Sequence, residues 1–100
     1  MSHGKEINSS IINKEIKYNN GRYVGQVVNN KREGKGIYYF NNETWKDVRY
    51  EGDFKNGKKE GQGIYYWNNG DRRMGDFLND KEIGKHVRLT RNGEVTIENF

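Results

Sequence analysis

Along much of this chain apolar and polar residues alternate one by one. In the segment from Tyr50 to Lys55, Tyr50, Gly52 and Phe54 fall on one face of an extended strand, and Glu51, Asp53 and Lys55 on the other. The same parity sets Gly63, Tyr65 and Trp67 against Ile64 and Tyr66, with apolar groups on both faces. No segment sustains a 3.6-residue period, so helices are not expected. Between these segments lie "KNGKKE" and "NNGDRR", whose Asn-Gly steps suit hairpin turns. The pattern predicts an all-β chain: short antiparallel strands, two per unit, joined as a meander and stacked into an elongated single-layer sheet.

The units repeat. "KREGKGIYYF" at 31–40 returns as "KKEGQGIYYW" at 58–67. Three units align on Tyr23-Val-Gly25-Gln-Val27, Tyr50-Glu-Gly52-Asp-Phe54 and Arg73-Met-Gly75-Asp-Phe77. Nine residues past the first glycine of each stand Gly34, Gly61 and Gly84, and two further on stand Gly36, Gly63 and His86. The first step is 27 residues and the second 23; the extra four fall in "NNETWKDVR", where a turn tolerates insertion. The repeats therefore run at about 23–49, 50–72 and 73–96. A partial repeat precedes residue 23, in which "EIKYNNGR" supplies a hairpin arm with Asn20 or Gly21 in its turn. The repeat domain is placed at 16–100, with 1–15 as an arm or extra edge strand. "GEVTIENF" puts Val95 and Ile97 on one face and reads as a closing strand.

Composition sharpens this picture. Hydrophobic residues make up 31%, charged residues 32%, and mean hydropathy is -1.23, values that lean toward disorder. Thirteen glycines, no proline and an aromatic share of 13% point instead to an ordered but thin structure whose apolar area sits in rings. With no cysteine, disulfides and thiolate metal sites are excluded. No apolar run reaches membrane-spanning length, and "MSHGKEINSS" lacks a signal-peptide core, so an intracellular, soluble chain with unglycosylated sequons is expected. The net charge of +4 permits nucleic acid or anionic lipid as a partner. Interleaved acids, as in "KDVRYEGDFK", favour a solvated mixed surface.

Each candidate site has a plain architectural competitor. "GKG" and "GQG" are followed by neither Lys-Ser/Thr nor a helix start, so they do not form a phosphate loop. Gly25, Gly34, Gly36, Gly52, Gly61, Gly63, Gly75 and Gly84 are expected to make room for the rings of neighbouring hairpins. Tyr23, Tyr38, Phe40, Tyr50, Phe54, Tyr65, Trp67 and Phe77 are expected to fill that room. The opposite parity leaves Tyr39 and Tyr66 as the rings that could face a partner. Lys31, Arg32, Lys35, Lys55, Lys58 and Lys59 fall mostly in hairpin loops and would line one edge as a basic stripe suited to anionic lipid, diluted by Glu33 and Glu60. His3 and His86 have no second ligand at metal spacing, and no Ser-His-Asp grouping stands out, so no catalytic residue, metal or cofactor is assigned.

The units resemble MORN (membrane occupation and recognition nexus) repeats: Tyr-x-Gly-x-aromatic, a turn, Gly-x-Gly, an aromatic strand and a turn glycine. "YEGDFKNGKKEGQGIYYWNNG" matches almost throughout. "YVGQVVNNKREGKGIYYFNN" departs at Val27, and "RMGDFLNDKEIGKHVRLTRNG" departs at Arg73 and His86, as a terminal repeat could. The resemblance implies a scaffold without catalytic activity that binds other proteins or itself, in assemblies tied to membranes, the cytoskeleton or cilia. The expectation is thus an adaptor within a larger, ciliary or cytoskeletal complex, with peripheral binding to anionic membrane as the alternative. Nucleic acid is disfavoured as a partner, and homodimerisation is left open.

Overall fold

A computed structural model describes residues 11–41 and 48–100. Eight strands form one sheet: β1 (Ile11–Tyr18), β2 (Gly21–Val28), β3 (Lys31–Phe40), β4 (Arg49–Lys55), β5 (Lys58–Tyr66), β6 (Arg72–Leu78), β7 (Lys81–Leu89) and β8 (Val95–Asn99). They lie in sequence order, each antiparallel to the next. This is the expected meander, with no helix among the described residues. Its extents are 56 × 28 × 20 Å and its radius of gyration is 15.4 Å, against roughly 13 Å for a compact domain of this length. The division drawn at residue 15 falls inside β1, which starts at Ile11. The four-residue insertion and both sequons lie largely or wholly outside the described residues.

The turns follow from residue type. Asn29–Asn30 (φ 51° and 65°), Asn56–Gly57 (52° and 85°) and Asn79–Asp80 (51° and 71°) are two-residue loops with both φ positive. That geometry matches the right-handed twist of the strands it joins, and Asn, Asp and Gly tolerate it. Asn19 and Asn20 turn the first hairpin, and Gly21 opens β2.

Within each repeat hairpin the ladder slips by two residues. Gly25 faces Gly36 but Val27 faces Arg32, and Gly52 faces Gly63 but Phe54 faces Lys59. In the third hairpin Met74 faces Val87 but Asp76 faces Ile83. Gly34, Gly61 and Gly84 stand at these slips with φ of 79°, 98° and 70°. Their expected task of making room for rings is therefore corrected: they supply a left-handed backbone at a bulge. At Gly84 an added Cβ would meet nothing within 4 Å, so conformation alone calls for glycine there.

The second glycines do make room. A Cβ at Gly36 would run into the Tyr23 ring, and one at Gly63 into the Tyr50 ring. Tyr23 and Tyr50 are wholly buried, and their hydroxyls donate to Gln26 O (2.7 Å) and Asp53 O (3.2 Å). Burial pushes the Tyr23 hydroxyl up to about 12; burial, then the nearby Asp53 carboxylate, raises that of Tyr50 as well.

The third unit reaches the same end by another route. Arg73 stands where the tyrosine is due and His86 where the glycine is due. The His86 imidazole, also wholly buried, lies against Gly75, and its Nε2–H donates to Asp76 O at 2.9 Å. Asp76 O is the counterpart of Gln26 O and Asp53 O, so a ring from the opposite strand satisfies the same carbonyl. Arg73 and His86, which the sequence marks only as departures suited to a terminal repeat, are thus a reciprocal exchange. Arg73, freed from that role, pairs with Glu82 (2.5 Å) and Glu98 (3.3 Å).

These rings join a continuous spine. Tyr23–Phe54, Phe54–Tyr50, Tyr50–Phe77, Phe77–His86 and His86–Phe100 meet edge-on at 5.0, 5.3, 5.2, 5.3 and 4.8 Å. Phe100 thus extends the line of rings past His86. Val27, also fully buried, takes the phenylalanine place in the first unit.

Candidate functional site

With one face of the sheet occupied by the spine, strand parity puts a second set of side chains on the other, outer face. The register lines them into rows that cross the strands. One row runs Lys17–Arg22–Tyr39–Arg49–Tyr66–Arg72 from β1 to β6. Arg22 lies over the Tyr39 ring at 4.1 Å and Arg49 over the Tyr66 ring at 3.9 Å. Both tyrosines are half-buried. Arginine and tyrosine alternate, and each ring carries one guanidinium over it, an arrangement worth about 0.5–1 kcal/mol per pair at an exposed site.

The neighbouring row is Val24–Ile37–Glu51–Ile64–Met74–Val87–Ile97, apolar except at Glu51. Glu51 accepts from Arg49 Nε at 2.7 Å, which neutralises the one charge in the stripe. Val24, Met74 and Ile97 are 36%, 38% and 51% exposed, more than a self-contained core would leave open. Beside this stripe runs a groove of about 710 Å³, its floor formed by the backbone of Gly36, Gly52, Gly63 and Gly75. Its far wall carries Lys35, Gln62 and Asp76. Lys35 Nζ and Asp53 pair at 2.5 Å. Partial burial alone would raise the Asp53 carboxyl, but the Lys35 ammonium and the Gln62 N–H outweigh it and hold the pKa low.

The six basic residues expected along one edge do not form one surface. Lys31, Lys55 and Lys58 are exposed beside the short turns. Lys35 belongs to the outer face. Arg32 turns onto the spine face, where it donates to Gly57 O and lies over the Tyr18, Tyr38 and Phe54 rings. Lys59 lies over Tyr50 and Tyr65. Parity sends alternate residues of a strand to opposite faces, so a basic run in sequence splits in space. Tyr38, Phe40, Tyr65 and Trp67 sit on the spine face as a second line of rings, 4.9 to 6.2 Å apart. Among the described residues no three His, Asp or Glu side chains converge on a metal-sized site.

The outer arginines escaped the sequence reading, though their signal is periodic. The residue before each opening position is arginine in every repeat: Arg22, Arg49 and Arg72. Phe100 and the apolar row escaped it too, since cross-strand register decides both.

Residues 23–46 and 50–72 match the family model of the MORN repeat. The chain is a MORN-repeat protein. Repeats of this family take part in protein and membrane interactions and act as scaffolds that are generally non-enzymatic. The unit beginning at Arg73 lies beyond the matched span, and it is the one in which tyrosine and glycine are exchanged for arginine and histidine. A search of curated proteins finds no match to this MORN-repeat chain.

Proposed function

We propose that this protein is a non-catalytic adaptor that docks another protein on its outer face, at Tyr39, Tyr66 and the apolar row beside them. The observation that carries the reading is that row: an apolar stripe left open to solvent and flanked by a repeated arginine–tyrosine ladder. Large apolar patches rimmed by polar residues mark interaction sites, and tyrosine and arginine are enriched where binding energy concentrates. The family's scaffolding role supports a place within a larger assembly, and we assign that assembly to the cilium or cytoskeleton, where such modules occur.

Affinity capture from the protein's native cells, followed by mass spectrometry, tests this. Tyr39→Ser/Tyr66→Ser should lose a set of captured proteins, among them axonemal or cytoskeletal components, that Lys55→Ala/Lys58→Ala retains. Thermal melts of both variants verify that folding is intact. The same proteins captured by the tyrosine variant would sink the reading. So would sedimentation with phosphatidylserine vesicles at low salt that is lost in Lys31→Ala/Lys55→Ala/Lys58→Ala while protein capture is absent; that result belongs to the membrane reading.

A further inference from the structure

We propose that the occupant of the outer face is an acidic amphipathic helix of a partner protein, laid across the strands. The inference rests on the docking reading above and adds the chemistry of what docks.

Backbone accounting selects a helix. Each of β2 to β7 is paired on both sides, so its main-chain groups are already engaged within the sheet. A segment lying on the face finds no backbone partners there, unlike one added to an edge. Its own N–H and C=O groups must be satisfied internally, and a helix does that.

Dimensions agree. Neighbouring strands are about 4.8 Å apart, so the stretch from Val24 on β2 to Met74 on β6 covers roughly 19 Å, or about 13 helical residues. Side chains two apart on a strand are about 6.8 Å apart. A helix about 10 Å across, centred on the apolar row, therefore reaches the rows on either side.

Charge fixes its orientation. One flank carries Lys17, Arg22, Arg49 and Arg72, against which stand Glu15 (3.4 Å from Arg22) and Glu51. Arg72 makes no ion pair among the described residues. The other flank has its Lys35 already paired to Asp53 and adds the exposed Asp76. Carboxylates of the partner belong over the arginine row and its neutral or basic residues over Asp76. The two flanks would repel the reversed arrangement, which supplies specificity as well as attraction.

Selection of a displayed library of random peptides, about 20 residues each to allow several helical turns, against the full chain tests this without presuming a partner. Enriched peptides should be acidic, carry apolar residues at i, i+3, i+4 and i+7, and gain helical circular dichroism on binding. Fluorescence anisotropy should show about tenfold weaker binding to Met74→Lys, as for loss of a central anchor, and a shift toward basic peptides for Arg22→Glu/Arg72→Glu. Arg22, Arg72 and Met74 are exposed enough for these variants to fold, which a thermal melt verifies. Enrichment of basic, proline-bearing or alternating sequences, or no enrichment, would overturn the helix while leaving the docking reading to the capture experiment. Dimers seen by light scattering and dispersed by Met74→Lys would also overturn it, since the occupant would be a second copy. If capture fails to depend on Tyr39 and Tyr66, the docking reading itself falls.

Discussion

Arg73 and His86 show how a repeat can exchange two defining residues and keep its packing. In the first two units a tyrosine ring crosses to the space over the facing glycine and donates to the carbonyl three residues along its own strand. In the third, the ring comes from the glycine's position, and the carbonyl is still satisfied. Each substitution fits only with the other. A tyrosine at 73 would aim its ring at the volume His86 fills, while glycine at 86 would leave that volume empty and Asp76 O without its donor. His86→Gly should therefore destabilise by about 3 kcal/mol, in the range for removing a buried ring, and Arg73→Tyr should also destabilise the native chain. Combined, they should be less harmful than the sum, with a coupling of roughly 1–3 kcal/mol. Urea unfolding of the four proteins measures this. Additivity within about 0.5 kcal/mol would mean that the two positions are independent.

At the scale of the hairpin, the two glycines of each Gly-x-Gly have separate tasks, and substitution should separate them. Gly84→Ala meets open space at φ 70°, so its penalty is conformational strain alone, of order 1–2 kcal/mol. Gly63→Ala puts a methyl into the Tyr50 ring of a wholly buried cluster and should cost more, about 3 kcal/mol or above, since the ring cannot retreat without emptying the spine. Thermal melts ranking Gly84→Ala as the worse of the two would refute this division of labour. The contrast also marks how much of the molecule the sequence discloses. Strands, turns and the inward rings could be read because period-two alternation recurs at fixed offsets in three units. What could not be read is the two-residue slip at Gly34, Gly61 and Gly84, because a bulge depends on backbone conformation as well as residue type. That slip and the pairing beyond it decide which side chains meet across strands. Tyr39 and Tyr66 could be assigned to the outer face by parity, but their guanidinium covers and the apolar stripe beside them could not. The loop lysines misled for the related reason that adjacency in sequence is not adjacency on a sheet face.

Over the whole molecule, order follows the spine rather than a central core. A stacked meander touches only its neighbours, so local stability depends on how many neighbours a strand has and how deeply its rings are held. β1 is exposed at every position but Ile16, and β8 at every position but Glu98. Tyr23, Tyr50, Phe54 and Phe77 lie between these ends, almost wholly excluded from water. Hydrogen exchange should consequently be slowest in the amides of β3 to β6 and faster toward both ends, instead of showing one global rate. Beyond its ladder with β7 and the Phe100 N–H on Gly84 O, the C-terminal end is held by the Phe100 ring on His86 and by Glu98 on Arg73. Phe100→Ala should accelerate exchange in β7 and β8 and leave β2 and β3 at their original rates. Equal acceleration in all strands would show that the sheet opens as one unit and that Phe100 holds more than the end of the spine.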